Sequence, residues 1–146
     1  MTALTGGWRM DFPHHNAEQL FAVAADVEAY PRFLPWCRLA RIRRQDGNGL
    51  EVENLFGAGP MQFRFHSHAQ LDPPHGLDIT AHDGPFRQFH LNWRFTPLGE
   101  SGGRVVAEYR MELRSPLLQT LARLSLPDME RKVVQRFKER VRTVSG

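Results

Sequence analysis

Histidine, cysteine and carboxylate side chains carry most acid–base, nucleophilic and metal chemistry, and this chain holds seven His, one Cys and sixteen Asp and Glu. Their spacing favours none of those chemistries. His66 and His68 lie two apart, which on a strand puts both rings on one face, where they could meet a metal ion. A zinc site needs three or four ligands, and no third stands at useful spacing. His14, His15 and His75 fall beside turn-like stretches. No Ser–His–Asp order or nucleophile elbow is present. Glu51, Glu53, Glu108 and Glu112 alternate with apolar residues and so belong to the outer face of a sheet. Cys37 has no base near it in sequence and reads as a buried structural thiol. The Gly57-Ala-Gly59 stretch lacks dinucleotide-loop spacing and reads as a turn. The residues therefore point to no catalytic group, no metal site and no required cofactor, and an enzyme is not expected.

Charge is the second kind of chemistry on offer. The net charge is +3, yet Arg131, Lys132, Arg136, Lys138, Arg140 and Arg142 are opposed in their own stretch by Glu139 alone. Such a block fits the solvated face of a helix, an anionic bilayer or a nucleic-acid phosphate backbone. The aromatic-interleaved basic pattern of single-strand RNA binders is absent.

These groups must be positioned by elements, and the hydropathy pattern supplies them. Hydrophobic residues make up 41% and charged residues 24% of 146, which fits a folded globular chain and argues against disorder. That length suits a single domain over residues 1–146. No apolar run approaches the roughly 18–20 residues of a membrane span. The first nine residues lack a signal-peptide core. A lone Cys favours a reducing compartment, so a cytoplasmic protein is expected, with peripheral membrane contact left open.

Trp8, Met10 and Phe12 alternate as in a strand. Asn16 with Gln19 forms a capping-box pattern for a helix carrying Leu20, Phe21, Val23 and Ala24. Two prolines and three large aromatics then mark a second short helix and a turn up to Cys37. From Arg38 to Leu113 the period is two, with turns at Asp46–Gly49, Gly57–Pro60, Asp72–Gly76 and Asp83–Pro85. Ser115 caps a C-terminal helix in which Leu117, Leu118, Leu121 and Leu124 make one apolar stripe. Pro127 is expected to kink or restart it, and Met129, Val133, Phe137 and Val141 continue at fours. An antiparallel meander with one apolar face, followed by a long amphipathic helix, should curl around that helix.

This element order resembles the START-like helix-grip superfamily. Asp26-Val-Glu-Ala-Tyr-Pro-Arg-Phe-Leu-Pro-Trp-Cys37, Asp83-Gly-Pro-Phe86 and Trp93-Arg-Phe-Thr-Pro97 narrow the resemblance. They are similar to segments of the coenzyme Q-binding protein and RatA ribosome-association toxin family, which is grouped with polyketide cyclase-like proteins. The similarity runs from about Met10 to Val144. The His-x-His at His66 and His68 departs from the pattern, on the expected outer face. The resemblance implies an α+β helix-grip fold with six to seven antiparallel strands curved around the last helix and two short helices after the first strand. It also implies an apolar tunnel that holds ubiquinone, or another isoprenoid lipid, without chemical turnover. Relatives in the toxin branch imply a different partner, the large ribosomal subunit.

The expected ligand contacts are Tyr30, Phe33, Pro35, Trp36, Asn54, Phe63, Phe65, Trp93, Tyr109, Met111, Val133 and Phe137. Most of the apolar ones would be core in any fold. Collectively they suit a cavity lined by aromatics with a few polar groups. Asn54, Ser67 and Tyr109 sit in phase with apolar neighbours and must be paired with protein groups, water or a ligand. Tyr30, Pro31, Phe33, Leu34, Pro35 and Trp36 suit a lid that admits a lipid, or a plug at the sheet's end. A cyclase or dehydratase would need a carboxylate or His inside the cavity beside Tyr109, and the strands provide none.

Overall fold

The computed structural model describes residues 3–58 and 60–145. Gly59 of the Gly57–Pro60 turn lies outside the described residues, as do Met1, Thr2 and Gly146. The elements run β1 (Leu4–Phe12), α1 (Ala17–Ala25), a 3-10 turn (Val27–Arg32), β2 (Cys37–Asp46), β3 (Gly49–Ala58), β4 (Met61–Asp72), β5 (Gly76–Ala81), β6 (Phe86–Leu98), β7 (Gly102–Leu113) and α2 (Pro116–Ser145). The strands form one antiparallel sheet in the order β1-β7-β6-β5-β4-β3-β2. All links but one join consecutive strands, as short turns dictate. The seventh is β1, which crosses to pair with β7 and makes the opposite edge from β2.

Local chemistry explains the ends. Asn16 accepts from the Gln19 N–H and the Gln19 side chain accepts from the Asn16 N–H, a reciprocal cap at the start of α1. Ser115 Oγ accepts from Leu118 N at the start of α2. Gly47 and Gly84 take positive φ, 60° and 58°, in the turns where the sequence places them.

One row of inward residues crosses the sheet: Gly6 opposite Tyr109, then Leu91, Ile79, Ala69 and Leu50. Against this face lies α2, whose Val133, Phe137 and Val141 are fully buried. The Phe137 ring centroid is 6.1 Å from Phe12 on edge strand β1, 5.8 Å from Phe33 just before edge strand β2, and 5.3 Å from Trp93 between them. One helical side chain thus meets the β1 edge, the middle of the sheet and the segment leading into β2, which is the wrapped arrangement the pattern implies.

Along α2 the restart allowed for at Pro127 does not occur, and the leucine stripe is overturned. The helix runs unbroken through Pro127 instead of restarting there. Its four leucines do not make one buried stripe. Leu117, Leu121 and Leu124 are 66%, 43% and 74% exposed. A continuous helix carries the phase of Val133 and Phe137 back to Met129, Leu126, Ala122 and Leu118, and turns the other leucines outward.

Candidate functional site

The N-terminal half of α2 does not fill the sheet beneath it. Between them lies a cavity of about 270 Å³. Leu118, Ala122, Leu126 and Met129 form its helical wall, and Val52, Phe56, Phe63, Phe65, Ile79, Phe89, Leu91 and Met111 form its sheet wall. Met61 and Leu121, both partly lining it and more than two-fifths exposed, mark a mouth between the β3–β4 end and α2. A dry apolar cavity of about 150 Å³ takes one benzene, so this one has room for a substituted ring.

Of the expected contacts, Tyr30, Trp36, Asn54, Phe63, Phe65, Tyr109 and Met111 line the cavity together. Phe33, Trp93, Val133 and Phe137 do not. Each is fully buried in the closed half of the core, where the C-terminal half of α2 meets the sheet in ring-to-ring packing. Pro35 is half-buried and lies off the lining. The stretch before β2 is held by local hydrogen bonds: Tyr30 Oη donates to Ala24 O at 2.6 Å, and Leu34 N donates to Tyr30 O at 2.8 Å. Burial pushes the Tyr30 hydroxyl well above its ordinary pKa.

The polar groups fall at two stations. At the first, Asn54 Nδ2 reaches Ser67 Oγ at 3.0 Å and the Val52 and Phe65 carbonyls at 3.3 and 3.4 Å. Protein partners therefore satisfy the amide's donors. Asn54 Oδ1 accepts nothing from the described residues.

The second station was not foreseen. Tyr109 Oη donates to Glu130 Oε1 at 2.6 Å, and the Gly7 N–H donates to the same oxygen at 3.3 Å. The expectation that no carboxylate stands beside Tyr109 is thus overturned: the strands supply none, but α2 does. Glu130 shares a face with Val133 and Phe137, three and seven residues on, and that phase was a readable signal. So was Gly6, opposite Tyr109 in the register, because a Cβ there would collide with Tyr109 Oη and Glu130 Oε1. Burial, then the bond to Glu130 and its charge, raise the Tyr109 pKa, so Tyr109 stays protonated and acts as the donor. Trp8 lines the same side, edge-on to Trp93 at 5.4 Å, and its buried indole N–H has no hydrogen-bond partner.

The remaining chemistry-bearing residues lie elsewhere. Cys37 is buried, its thiol pushed up to about 12 mainly by burial. On the outer face each of three histidines holds its own carboxylate: His66 with Asp83, His90 with Asp78, each at 2.9 Å, and His68 with Glu51. Among the described residues no three His, Cys, Asp or Glu cluster as a metal site. Of the C-terminal cations, Arg131 and Lys132 pair with Asp128 at 3.3 and 3.0 Å, one turn earlier. Arg136, Lys138 and Arg142 are exposed, Arg140 is half-buried, and none of the four forms an ion pair among the described residues.

An open antiparallel sheet folded over a long C-terminal helix, with an apolar cavity left between them, defines a helix-grip domain of the START type. The chain belongs to the family described as polyketide cyclase / dehydrase and lipid transport, which matches residues 13–138. It is 25% identical over 132 residues to the ribosome association toxin RatA of Pseudomonas aeruginosa, covering 90% of this chain and 92% of that one. It is 31% identical over 88 residues to the mitochondrial coenzyme Q-binding protein COQ10 homolog B of Xenopus laevis, covering 60% of this chain and 36% of that one. A START superfamily protein from Mycobacterium smegmatis superposes with a TM-score of 0.76 at 15% identity over 99% of this chain and 99% of that one.

Proposed function

We propose that this protein binds an apolar, ring-bearing lipid without transforming it, and that ubiquinone or a related isoprenoid is the ligand it carries in support of respiration. The apolar cavity under the first half of α2 carries this reading. It has room for a headgroup ring and the start of a tail, and the rest of a tail would leave past Met61 and Leu121 along exposed Leu117 and Leu124. That apolar rim also suits brief contact with a membrane surface. The likeness to a coenzyme Q-binding protein supports the ligand class. A cyclase or dehydratase role now has the carboxylate it required, Glu130 beside Tyr109, but less support otherwise. Both lining tyrosine hydroxyls are already donated, to Ala24 O and Glu130, and burial keeps both protonated. The test is thermal unfolding with increasing ubiquinone: a saturable rise in Tm is expected. No rise at saturating ligand would remove the proposal.

A second reading, association with the large ribosomal subunit and inhibition of translation, is favoured by one observation besides the likeness to RatA. The last turns of α2 present Arg136, Lys138 and Arg142 to solvent without an acidic partner among the described residues. Cosedimentation with large subunits that weakens steeply with salt, and that charge reversal at these three abolishes, is expected on this reading. Salt-independent or absent cosedimentation would dismiss it.

A further inference from the structure

The Tyr109–Glu130 station of the cavity presents acceptors alone. Glu130 Oε1 already accepts from Tyr109 Oη and Gly7 N, while Oε2 accepts nothing and no cation pairs with it among the described residues. Tyr109 has one O–H, and it is spent on Glu130, so toward a ligand its oxygen can only accept. At the other station Asn54 turns its amide nitrogen to two carbonyls and Ser67, which leaves Asn54 Oδ1 an acceptor and the Ser67 O–H a donor, so that station does not discriminate and the Glu130 station carries the selection.

We infer that the site reads a hydroxyl, so that it takes a phenolic or hydroquinone ring in preference to the oxidised quinone. This rests on the ring-lipid reading above and makes it more specific. A quinone ring with its carbonyl and ether oxygens presents acceptors alone. Set against Glu130 Oε2, on a half-buried side chain, it brings two acceptors together and displaces water from the carboxylate without replacing its hydrogen bond. A ring O–H donates to Oε2 and supplies the missing proton. Hydrogen bonds to charged groups are among the stronger ones, which sets an expected preference of about ten- to a hundredfold. Trp8 Nε1 is the opposing consideration: it is a donor without a partner on this wall, but it is shut off from the cavity by its own packing.

The experiment is calorimetric titration of the folded chain under anaerobic conditions with three probes. These are ubiquinone bearing one isoprene unit, its hydroquinone, and the dimethyl ether of that hydroquinone. The hydroquinone is expected to bind at least about tenfold tighter than the other two. Glu130→Gln, whose amide can donate as well as accept, should narrow the gap to within about threefold. Far-ultraviolet dichroism and Tm establish that this variant is folded. A quinone that binds the wild type as tightly as its hydroquinone, or a preference that survives Glu130→Gln, overturns the inference and leaves the ring-lipid reading standing. A second pair, 4-pentylphenol and 4-pentylanisole, separates the sources. If all three ubiquinone probes fail but the phenol binds over the anisole in a Glu130-dependent way, the hydroxyl site stands and the quinone reading falls. If neither pair binds, both fall.

Discussion

Ala122→Trp tests whether the space under α2 is real. Ala122 is half-buried on the cavity's helical wall, so an indole there can enter the roughly 270 Å³ beneath it. A Trp side chain carries about 200 Å² of surface, of which about half would meet the walls. At ~25 cal/mol per Å² that is ~2.5 kcal/mol, reduced to ~2 kcal/mol for a compact unfolded chain. Against it stand ~0.5 kcal/mol of lost helix propensity and ~1 kcal/mol of side-chain ordering. The net is about +0.5 kcal/mol, a change in Tm of only about 1–2 °C for a chain of this length. The same residue forced into a filled core would cost ~1–3 kcal/mol through overpacking. Urea unfolding followed by far-ultraviolet dichroism reads the sign, and ubiquinone titration of the same variant reads occupancy. The variant should unfold at an unchanged or slightly higher urea midpoint and lose the ligand-induced rise in Tm. A drop of 1 kcal/mol or more, or full retention of ligand binding, would show that the reasoning about this space is wrong.

Three further outcomes follow from particular residues. Phe137→Ala, in the closed half of the core, should cost ~3–5 kcal/mol in urea unfolding while leaving ligand affinity at low temperature nearly unchanged; a large loss of affinity without destabilisation would place Phe137 at the ligand. Gly6→Ala should lower stability by ~1–3 kcal/mol, because the new methyl group displaces Tyr109 and Glu130 from their contact. An unchanged Tm would mean that the contact is not held. His68 has its pKa raised above the ordinary 6.5, chiefly by its hydrogen bond to Glu51. Its stabilising contribution is therefore fully present below pH 6.5 and disappears as pH rises through the folded-state value. The stability gap between wild type and His68→Gln should be larger near about pH 6 than near about pH 9, and the reverse order would contradict the pairing.

The sheet was legible because its alternation is regular outside the register shifts in β2 and at Phe86/Gln88, and its turns are punctuated by Asp, Gly and Pro, which leave few alternatives for register. The helical wall was harder. Treating Pro127 as a break uncoupled the two halves of α2, so four leucines were grouped by type when one phase, set by Val133, Phe137 and Val141, decides which face inward. The same uncoupling hid Glu130, whose position in that phase places it against Tyr109 and the β1 backbone. Large aromatics in phase with the core could not be divided by pattern into those that line space and those that fill it. Trp93 and Phe65 alternate alike, yet Trp93 stacks on Phe137 while Phe65 faces the cavity. That division depends on how closely α2 approaches each part of the sheet, a distance that local sequence does not encode.

The most direct test of a lipid-binding cavity is organic extraction of the natively purified protein followed by mass spectrometry. A near-stoichiometric isoprenoid ring lipid in the wild type, and its absence from folded Ala122→Trp, is the expected result. A lipid-free wild type that also takes up no added ubiquinone or hydroquinone would contradict it and shift the weight to the basic face of α2 and the ribosome.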